Sequence, residues 1–197
     1  MRKREKKLLP ASGKALLVFF ACLLLFFSSP VILRAQKAII KDIIVTNSDS
    51  HLLLYLSIKD CFTTEMENGI NKGIPATFTY YVDLYKKRNK WFDQKMASLS
   101  FNRSISYDNL KEEYLVDYSD RDKKTISSSL DEAKALMAEI NGLQVISLAD
   151  LEQNSTYRIR VKAKLAKKTL PLYFHYLIPI TSLWDFETDW HFLEFKY

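Results

Sequence analysis

The sequence predicts a mainly β (α+β) chain: an antiparallel β-sandwich-like domain with two short helices, preceded by an N-terminal signal or anchor helix. Three observations predict this fold class. Apolar and polar side chains alternate along most of the chain after residue 35, as in strands that bury one face. The predicted strands follow one another without long crossover segments, which favours antiparallel pairing. The first 35 residues are basic and then apolar, which sets them apart from the rest of the chain.

The first 35 residues have the composition of an export signal. They hold seven Lys and Arg side chains against one acid, Glu5, and so carry the whole net charge of +6. The apolar run over residues 15–27 has the length of a signal-peptide core, whereas residues 15–33 are long enough to span a bilayer as a helix. A retained anchor is favoured because Leu33 is larger than the residue preferred three positions before a cleavage site after Ala35.

We therefore predict a signal peptide or single transmembrane anchor at residues 1–35 and an extracytoplasmic β-rich domain at residues 36–197. Residues 15–33 would hold the chain in a membrane with the domain on the non-cytoplasmic side; after cleavage the domain would be released on that side. The remaining 162 residues carry 22 basic and 22 acidic side chains, so nucleic-acid binding is not expected. Their single cysteine, Cys61, excludes an internal disulfide, and stability must come from a hydrophobic core.

Alternation and turn residues predict the strands. A hairpin is predicted where residues 38–46 and 52–58 flank a run of turn-forming residues. Further strands are predicted over residues 76–86, from near Trp91, over residues 99–107 and 114–118, and over residues 159–165, where the alternation is most regular.

Two short helices interrupt the strands. Thr64 begins a capping-box sequence, and a glycine and a proline end the first predicted helix, at residues 65–72. Ser129 begins a second capping box. The apolar side chains after it keep helical spacing as far as Ile140, and the pair at 141–142, Asn-Gly, is the predicted stop. These apolar residues are expected in the core.

The sequence offers little for catalysis, and we predict no enzyme activity, no cofactor and no metal. Glycine-rich phosphate loops and the common zinc and acyl-transfer motifs are missing from it. A metal or nucleophile site would need His51, His175, His191 and Cys61 to meet in space, although they are scattered along the sequence.

Three acids alternate near the end of the chain, namely Asp185, Glu187 and Asp189. On a strand their carboxylates would share one face, which is an arrangement that could bind a hard cation through oxygen. A solvated acidic row opposite core aromatics is the interpretation that we favour.

Two other features are candidate binding sites. One is a row of cations on a face of the predicted strand 159–165, together with the aromatic segment near the end of the chain; an exposed sheet face without a partner is the alternative. The other is Arg103, which falls on an otherwise apolar strand face and could anchor a ligand; pairing with a carboxylate at the edge of the core, or a β-bulge at this position, are the alternatives. The candidate interaction surface consists of Arg158, Arg160, Lys162, Lys164, Trp184 and Trp190.

The order of several short motifs resembles an uncharacterised bacterial envelope family, domain-of-unknown-function family 4390. The resemblance spans about residues 38–195 and implies a mostly β extracytoplasmic domain after a signal or anchor, with no assigned activity. It places residues 15–33 in the bacterial inner membrane with the domain facing the periplasm, or the domain free in the periplasm if the chain is cleaved after Ala35. Relatives encoded near two-component sensor kinases suggest a link with envelope signalling. The motifs are Gly73-Ile74-Pro75 with Phe78, the basic cluster 86–88 before Trp91, Ser106-Tyr107 with Leu110 and Tyr114, the helix start at 130–135, Leu170-Pro171, and the segment 184–190.

These observations favour a non-enzymatic interaction module of the bacterial cell envelope that binds an envelope protein through aromatic and basic surfaces. The 22 aromatic side chains outside the first 35 residues could also line a cavity. A carrier or sensor that holds a lipid or other apolar ligand in a β-sheet cavity is therefore the alternative. A hydrolase or metalloenzyme is the least favoured class.

Overall fold

The computed structural model describes residues 38–121, 123–166 and 186–197. Predictions about the anchor or signal at 1–35, and about His175, Trp184 and Asp185, lie outside these residues. No helix within the described ranges is long and apolar enough to cross a membrane. The described strands are Ile39–Asn47 (β1), His51–Lys59 (β2), Ala76–Lys86 (β3), Gln94–Asp108 (β4), Glu113–Tyr118 (β5), Lys123–Ser127 (β6), Glu139–Ser147 (β7), Thr156–Leu165 (β8) and His191–Lys196 (β9). The described helices are Thr64–Asn71 (α1) and Leu130–Ala138 (α2).

The strands form two antiparallel sheets, which confirms the predicted β-rich class. One sheet has three strands in the order β1-β2-β7, and the other has six in the order β6-β5-β4-β3-β8-β9. The chain changes sheet through α1, through α2 and through the loop between β7 and β8. Buried side chains of both sheets belong to one hydrophobic cluster, including Leu54 and Ile58 of β2, Tyr80 and Val82 of β3, and Val161 of β8.

The helix starts follow the capping logic of the sequence. The Ser129 hydroxyl accepts a hydrogen bond from the Glu132 amide, as predicted. In α1 the cap is Thr63 rather than Thr64: its hydroxyl accepts from the Met66 amide at 3.2 Å, so the helix begins one residue earlier than predicted. Gly73 follows α1 with a φ of +82°, where a glycine is favoured.

The predicted end of the second helix is wrong. Helix α2 stops at Ala138, and Glu139 already has extended backbone and begins β7. Ile140 fits the helical spacing, but as a strand residue it pairs with Leu56 of β2 and is fully buried. Pairing with β2 satisfies the backbone hydrogen bonds of this segment and still buries the Ile140 side chain, so a strand replaces the last helical turn. Gly142 has a φ of +75° within β7, where the pairing register shifts, and does not end the helix.

The strand predicted from near Trp91 begins instead at Gln94. Residues 87–93 form a loop between β3 and β4, and Trp91 and Phe92 at its tip are exposed. Their aromatic character suggested a strand start, but neither side chain reaches the core. Strands β6, β7 and β9 were not predicted.

Candidate functional site

The outer face of the six-stranded sheet carries the predicted basic row. Strand β8 alternates as the sequence predicts, since Tyr157, Ile159, Val161, Ala163 and Leu165 are all buried. The four cations between them therefore lie on the other face, where they are half-buried. Strands β3 and β9 flank β8, and their outward side chains determine what surrounds the cations.

Asp83 of β3 is the centre of the cluster. It lies directly opposite Arg160 in the β3–β8 register. The Arg160 guanidinium donates to Asp83 Oδ2 at 2.7 and 3.0 Å. On the other side, Lys95 Nζ and Ser98 Oγ of β4 donate to Oδ1 at 3.0 and 2.6 Å. One carboxylate thus links three neighbouring strands through charge-assisted hydrogen bonds.

These contacts keep Asp83 ionised. Its side chain is only 8% exposed, and burial alone would raise the pKa. The hydrogen bonds from Ser98, Arg160 and Lys95 outweigh that burial and lower the pKa of Asp83 to about 2. The carboxylate is therefore a permanent structural charge at neutral pH.

The other cations of the row also have partners. Arg158 donates to Glu194 of β9 at 2.6 Å and approaches Asp93 at 3.4 Å. Lys162 forms an ion pair with Glu187. Lys164 Nζ lies 5.1 Å from the centre of the Tyr81 ring, within the range of a cation–π contact. The row thus interleaves cations with carboxylates and aromatic rings.

Aromatic side chains lie over the guanidinium groups. The Arg160 guanidinium carbon lies 4.4 Å from the Trp190 ring centre and 4.9 Å from that of Tyr85. The Arg158 guanidinium carbon lies 5.6 Å from the Phe192 ring centre. Trp190 remains 39% exposed and Phe192 65% exposed, so both rings can be reached from solvent. We call this surface the aromatic–cation face; it comprises Arg158, Arg160, Lys162, Lys164, Tyr81, Tyr85, Trp190 and Phe192.

The structure brings the four predicted cations and Trp190 together, whereas Trp184 lies outside the described residues. Sequence reasoning missed Asp83 as the central carboxylate and Phe192 as an exposed ring. The alternation of β3 placed Asp83 on the polar face, but only the sheet order puts β3 beside β8 and Asp83 opposite Arg160. Phe192 is an outward residue of β9, a strand that the sequence did not predict.

Arg103, the candidate ligand anchor, is 1% exposed and lies inside the protein. Its guanidinium donates to the carbonyl of Leu136 at 3.1 Å, to the carbonyl of Glu139, and to Asp120 Oδ2 at 3.3 Å. It therefore pairs with a carboxylate, which was one of the two alternative interpretations, and it also caps the C-terminal end of α2, where carbonyl groups lack helical partners. Its ligand-binding role stays a prediction.

The rings of Tyr80, Phe101 and Tyr118 surround the same guanidinium, with centres 5.7, 5.8 and 4.9 Å from its carbon. Burial raises the pKa of Tyr80 well above its usual range, and its hydroxyl donates to the carbonyl of Met137. Sheet and helix are thus joined by buried polar contacts.

The other titratable candidates do not converge in the described part of the chain. His51, the first residue of β2, lies beside Ser50 of the β1–β2 turn, and His191 at the start of β9 lies beside the Asp189 carbonyl. Cys61 is buried, and burial raises the pKa of its thiol to about 12, which opposes nucleophilic reactivity. No group of three metal-ligating side chains is found among the described residues. With Asp185 and His175 outside them, the absence of a metal stays a prediction.

Two of the grooves formed by the described residues lie away from the aromatic–cation face. The larger, about 470 Å³, is on the outer face of the three-stranded sheet and is lined by residues including Ile44, Tyr55 and Asn141. The smaller, about 290 Å³, lies between the end of β2 and the helices and is lined by residues including Cys61 and Lys134. A cavity between the sheets was the expectation for a carrier, whereas the larger groove faces outwards.

The fold and its site define a β-rich domain of two antiparallel sheets with an aromatic and cationic outer face. The sequence matches a family model, Domain of unknown function (DUF4390), over residues 35–194, and the chain belongs to this family. The resemblance inferred from the order of motifs is therefore confirmed. Comparison with curated proteins and with solved structures gave no match.

Proposed function

We propose that the chain is a non-enzymatic interaction module of the bacterial cell envelope, anchored in the inner membrane by residues 15–33 or released into the periplasm. Its partner is another envelope protein, and it binds through the aromatic–cation face. The observation that carries the proposal is the presentation of Trp190 and Phe192 over ordered guanidinium groups. Tryptophan and arginine are enriched among the residues that dominate binding energy at protein interfaces.

The electrostatics of this face support a protein partner rather than a polyanion. Three of the four cations are paired with carboxylates, so little uncompensated charge remains for long-range attraction. The same ion pairs fix the guanidinium groups over which the Trp190 and Phe192 rings lie. Pre-ordering lowers the entropy that a complex must overcome, which favours contacts through the faces and edges of the rings.

Site-specific photocrosslinking in intact cells tests this proposal. A photoreactive residue replaces Phe192 at the face, and the matched control replaces Ile126, an exposed apolar residue at the opposite edge of the same sheet. The expected result is one reproducible protein adduct at position 192 and none at position 126. Equal adducts at both positions, or none, would count against the assigned face.

The identified partner then permits a quantitative test. Trp190→Ala and Phe192→Ala should each weaken the purified complex by about 1–2 kcal/mol, since truncation of central aromatic residues commonly costs this much or more. Ile126→Ala should change affinity by less than about 0.5 kcal/mol. A complex insensitive to both aromatic truncations would place the interface elsewhere.

The envelope location is tested separately. Reporter fusions after residues 14 and 36 should show the second on the periplasmic side, and the mass of the mature chain distinguishes an uncut anchor from cleavage after Ala35. The proposed link with envelope signalling predicts that deletion of the gene changes an envelope stress response. An unchanged response would remove that part of the proposal without affecting the interface.

A carrier of an apolar or amphiphilic ligand is the second candidate. The groove on the three-stranded sheet favours it, because its volume of about 470 Å³ suits a small ligand and Ile44 and Tyr55 offer apolar surface. Native mass spectrometry of protein purified gently from its own membranes should then show a retained small molecule. Tyr55→Ala should release it, whereas a chain that carries nothing would leave only the interaction module.

A further inference from the structure

We propose a second contact surface beside the aromatic–cation face, which it meets where Asp93 of the loop pairs with Arg158. The loop at residues 87–93 inserts Trp91 and Phe92 into the interfacial region of an anionic phospholipid surface.

The loop exposes an unusual amount of aromatic surface. Trp91 is 74% exposed and Phe92 is 85% exposed, and their rings meet edge to face with centres 6.3 Å apart. Adjacent aromatic residues at the tip of a loop do not contribute to the core of their own domain. Tryptophan favours the boundary between lipid head groups and acyl chains, where its ring is partly buried and its N–H remains hydrated.

The charges of the loop are arranged asymmetrically. Its acid, Asp93, points back to the sheet and pairs with Arg158 at 3.4 Å. Two cations, Arg88 and Lys90, form no ion pair with any described residue, and Arg88 only donates to the amide oxygen of Gln94. The tip therefore presents uncompensated positive charge beside the aromatic pair. Anionic head groups complement that combination.

The base of the loop is held in place. Lys86 pairs with Glu152, and Lys87 Nζ lies 3.0 Å from Glu194. These contacts connect the loop to the segment before β8 and to β9. The strands on either side, β3 and β4, are interior strands of the six-stranded sheet. A loop held at its base has less conformational entropy to lose when its tip inserts than a loop that is free at both ends.

The loop and the first described residues lie at opposite ends of β3. The loop follows β3, and the start of β3 lies near the end of β2, since Phe62 and Phe78 pack with ring centres 4.9 Å apart. β1 begins beside that end of β2, where Ile39 pairs with Lys59. The described chain therefore begins at the far end of the domain, about 35 Å away along β3. The proposed lipid contact is therefore separate from the point where residues 1–37 join the domain.

Vesicle binding tests the proposal with the full chain held in nanodiscs of neutral phosphatidylcholine. Sedimentable vesicles of phosphatidylglycerol and phosphatidylethanolamine in equal parts should bind it, whereas phosphatidylcholine vesicles should bind it weakly. Truncation of both aromatic residues, Trp91→Ala with Phe92→Ala, should lower the partition coefficient at least about tenfold. Arg88→Gln and Lys90→Gln should each lower it roughly fivefold, and only for the anionic vesicles.

Two matched controls separate this surface from others. Leu110→Ala removes a side chain that is 97% exposed in the β4–β5 turn, at the opposite end of β4, and should leave partitioning unchanged. Phe192→Ala alters the aromatic–cation face and should also leave it unchanged. A loss in Phe192→Ala alone would move lipid binding to that face and overturn the assignment of the loop.

Fluorescence gives a second readout that does not depend on the amount bound. With Trp184→Phe and Trp190→Phe, Trp91 is the only tryptophan, and anionic vesicles containing brominated lipid should quench it and shift its emission to the blue. Absence of quenching would overturn insertion. Crosslinking of position 91 to a protein in cells, with no vesicle binding, would identify the loop as a protein contact instead and would also overturn the proposal.

Discussion

Arg103→Met is the most informative single substitution in the core. The arginine is 1% exposed, and the Asp120 carboxylate that it pairs with is 4% exposed. Methionine keeps most of the length of the side chain but removes its charge. Asp120 would then be left as a buried charge without this partner, and the carbonyls of Leu136 and Glu139 would lose their donor.

The expected cost follows from these losses. Removing one partner of a buried ion pair typically destabilises a protein by about 3–5 kcal/mol. Since single domains are stable by only about 5–15 kcal/mol, urea unfolding followed by far-UV circular dichroism should show a large shift of the midpoint. Arg121→Met is the matched control. Arg121 approaches the same Asp120 oxygen at 3.3 Å but is 39% exposed, so its loss should cost less than about 1 kcal/mol.

A double-mutant cycle identifies the cause of the effect. Asp120→Asn in the Arg103→Met background removes the buried charge that Arg103 no longer balances and should recover about 1–3 kcal/mol relative to the sum of the single effects. The reasoning would be refuted if Arg103→Met cost no more than Arg121→Met. If the free-energy costs of Arg103→Met and Asp120→Asn simply added, the charge of Asp120 would not explain the destabilisation.

Three further predictions concern single sites. The pKa of Asp83 is lowered from 3.8 to about 2, so its ionisation stabilises the fold above about pH 4, and this contribution of about 2 kcal/mol is lost as the pH falls through about 2. Urea midpoints across this range should fall less steeply with pH in Asp83→Asn than in the parent. Burial raises the pKa of Cys61 to about 12. In a Cys22→Ser background, a thiol reagent at neutral pH should therefore label Cys61 only as fast as the surrounding fold opens locally, and urea should accelerate the labelling. Gly142→Ala should cost about 1 kcal/mol or more, because φ is +75° and the added Cβ would lie 3.3 Å from the Tyr55 hydroxyl oxygen; Tyr55→Phe should relieve the contact but not the backbone strain.

Each of these three predictions has a contrary outcome. Identical pH profiles for Asp83→Asn and the parent would assign the acid sensitivity to other carboxylates. Rapid labelling of Cys61 in the folded chain would mean that the thiol is accessible. Full rescue of Gly142→Ala by Tyr55→Phe would show that side-chain crowding, and not the backbone conformation, causes the loss.

The sequence correctly predicted those elements that depend only on neighbouring residues, such as alternation along a strand and capping at the start of a helix. The alternation of β8 identified its buried and outward faces because every second residue meets the same core. Capping residues located the start of α2 for an equally local reason, since the Ser129 hydroxyl contacts an amide three residues away. These signals need no knowledge of the partner strand.

The features that failed depend on contacts between distant segments. Ile140 satisfies helical and strand spacing alike, and its pairing with Leu56 decides in favour of β7. The role of Asp83 depends on β3 lying beside β8, a neighbourhood that alternation cannot specify. Trp91 fails for the opposite reason. An aromatic residue is expected in a strand or in the core, but most of the Trp91 side chain is not covered by any described part of the fold.

The contacts of Arg103 have a mechanical consequence for the whole domain. The residue belongs to β4 of one sheet, and one of its acceptors, Glu139, is the first residue of β7 in the other. Glu139 also lines both grooves. Sliding of the three-stranded sheet past the six-stranded sheet would have to pull a guanidinium away from buried acceptors. We expect the two sheets to move as one rigid unit, so that force applied at one outer surface is transmitted to the other with little internal yielding.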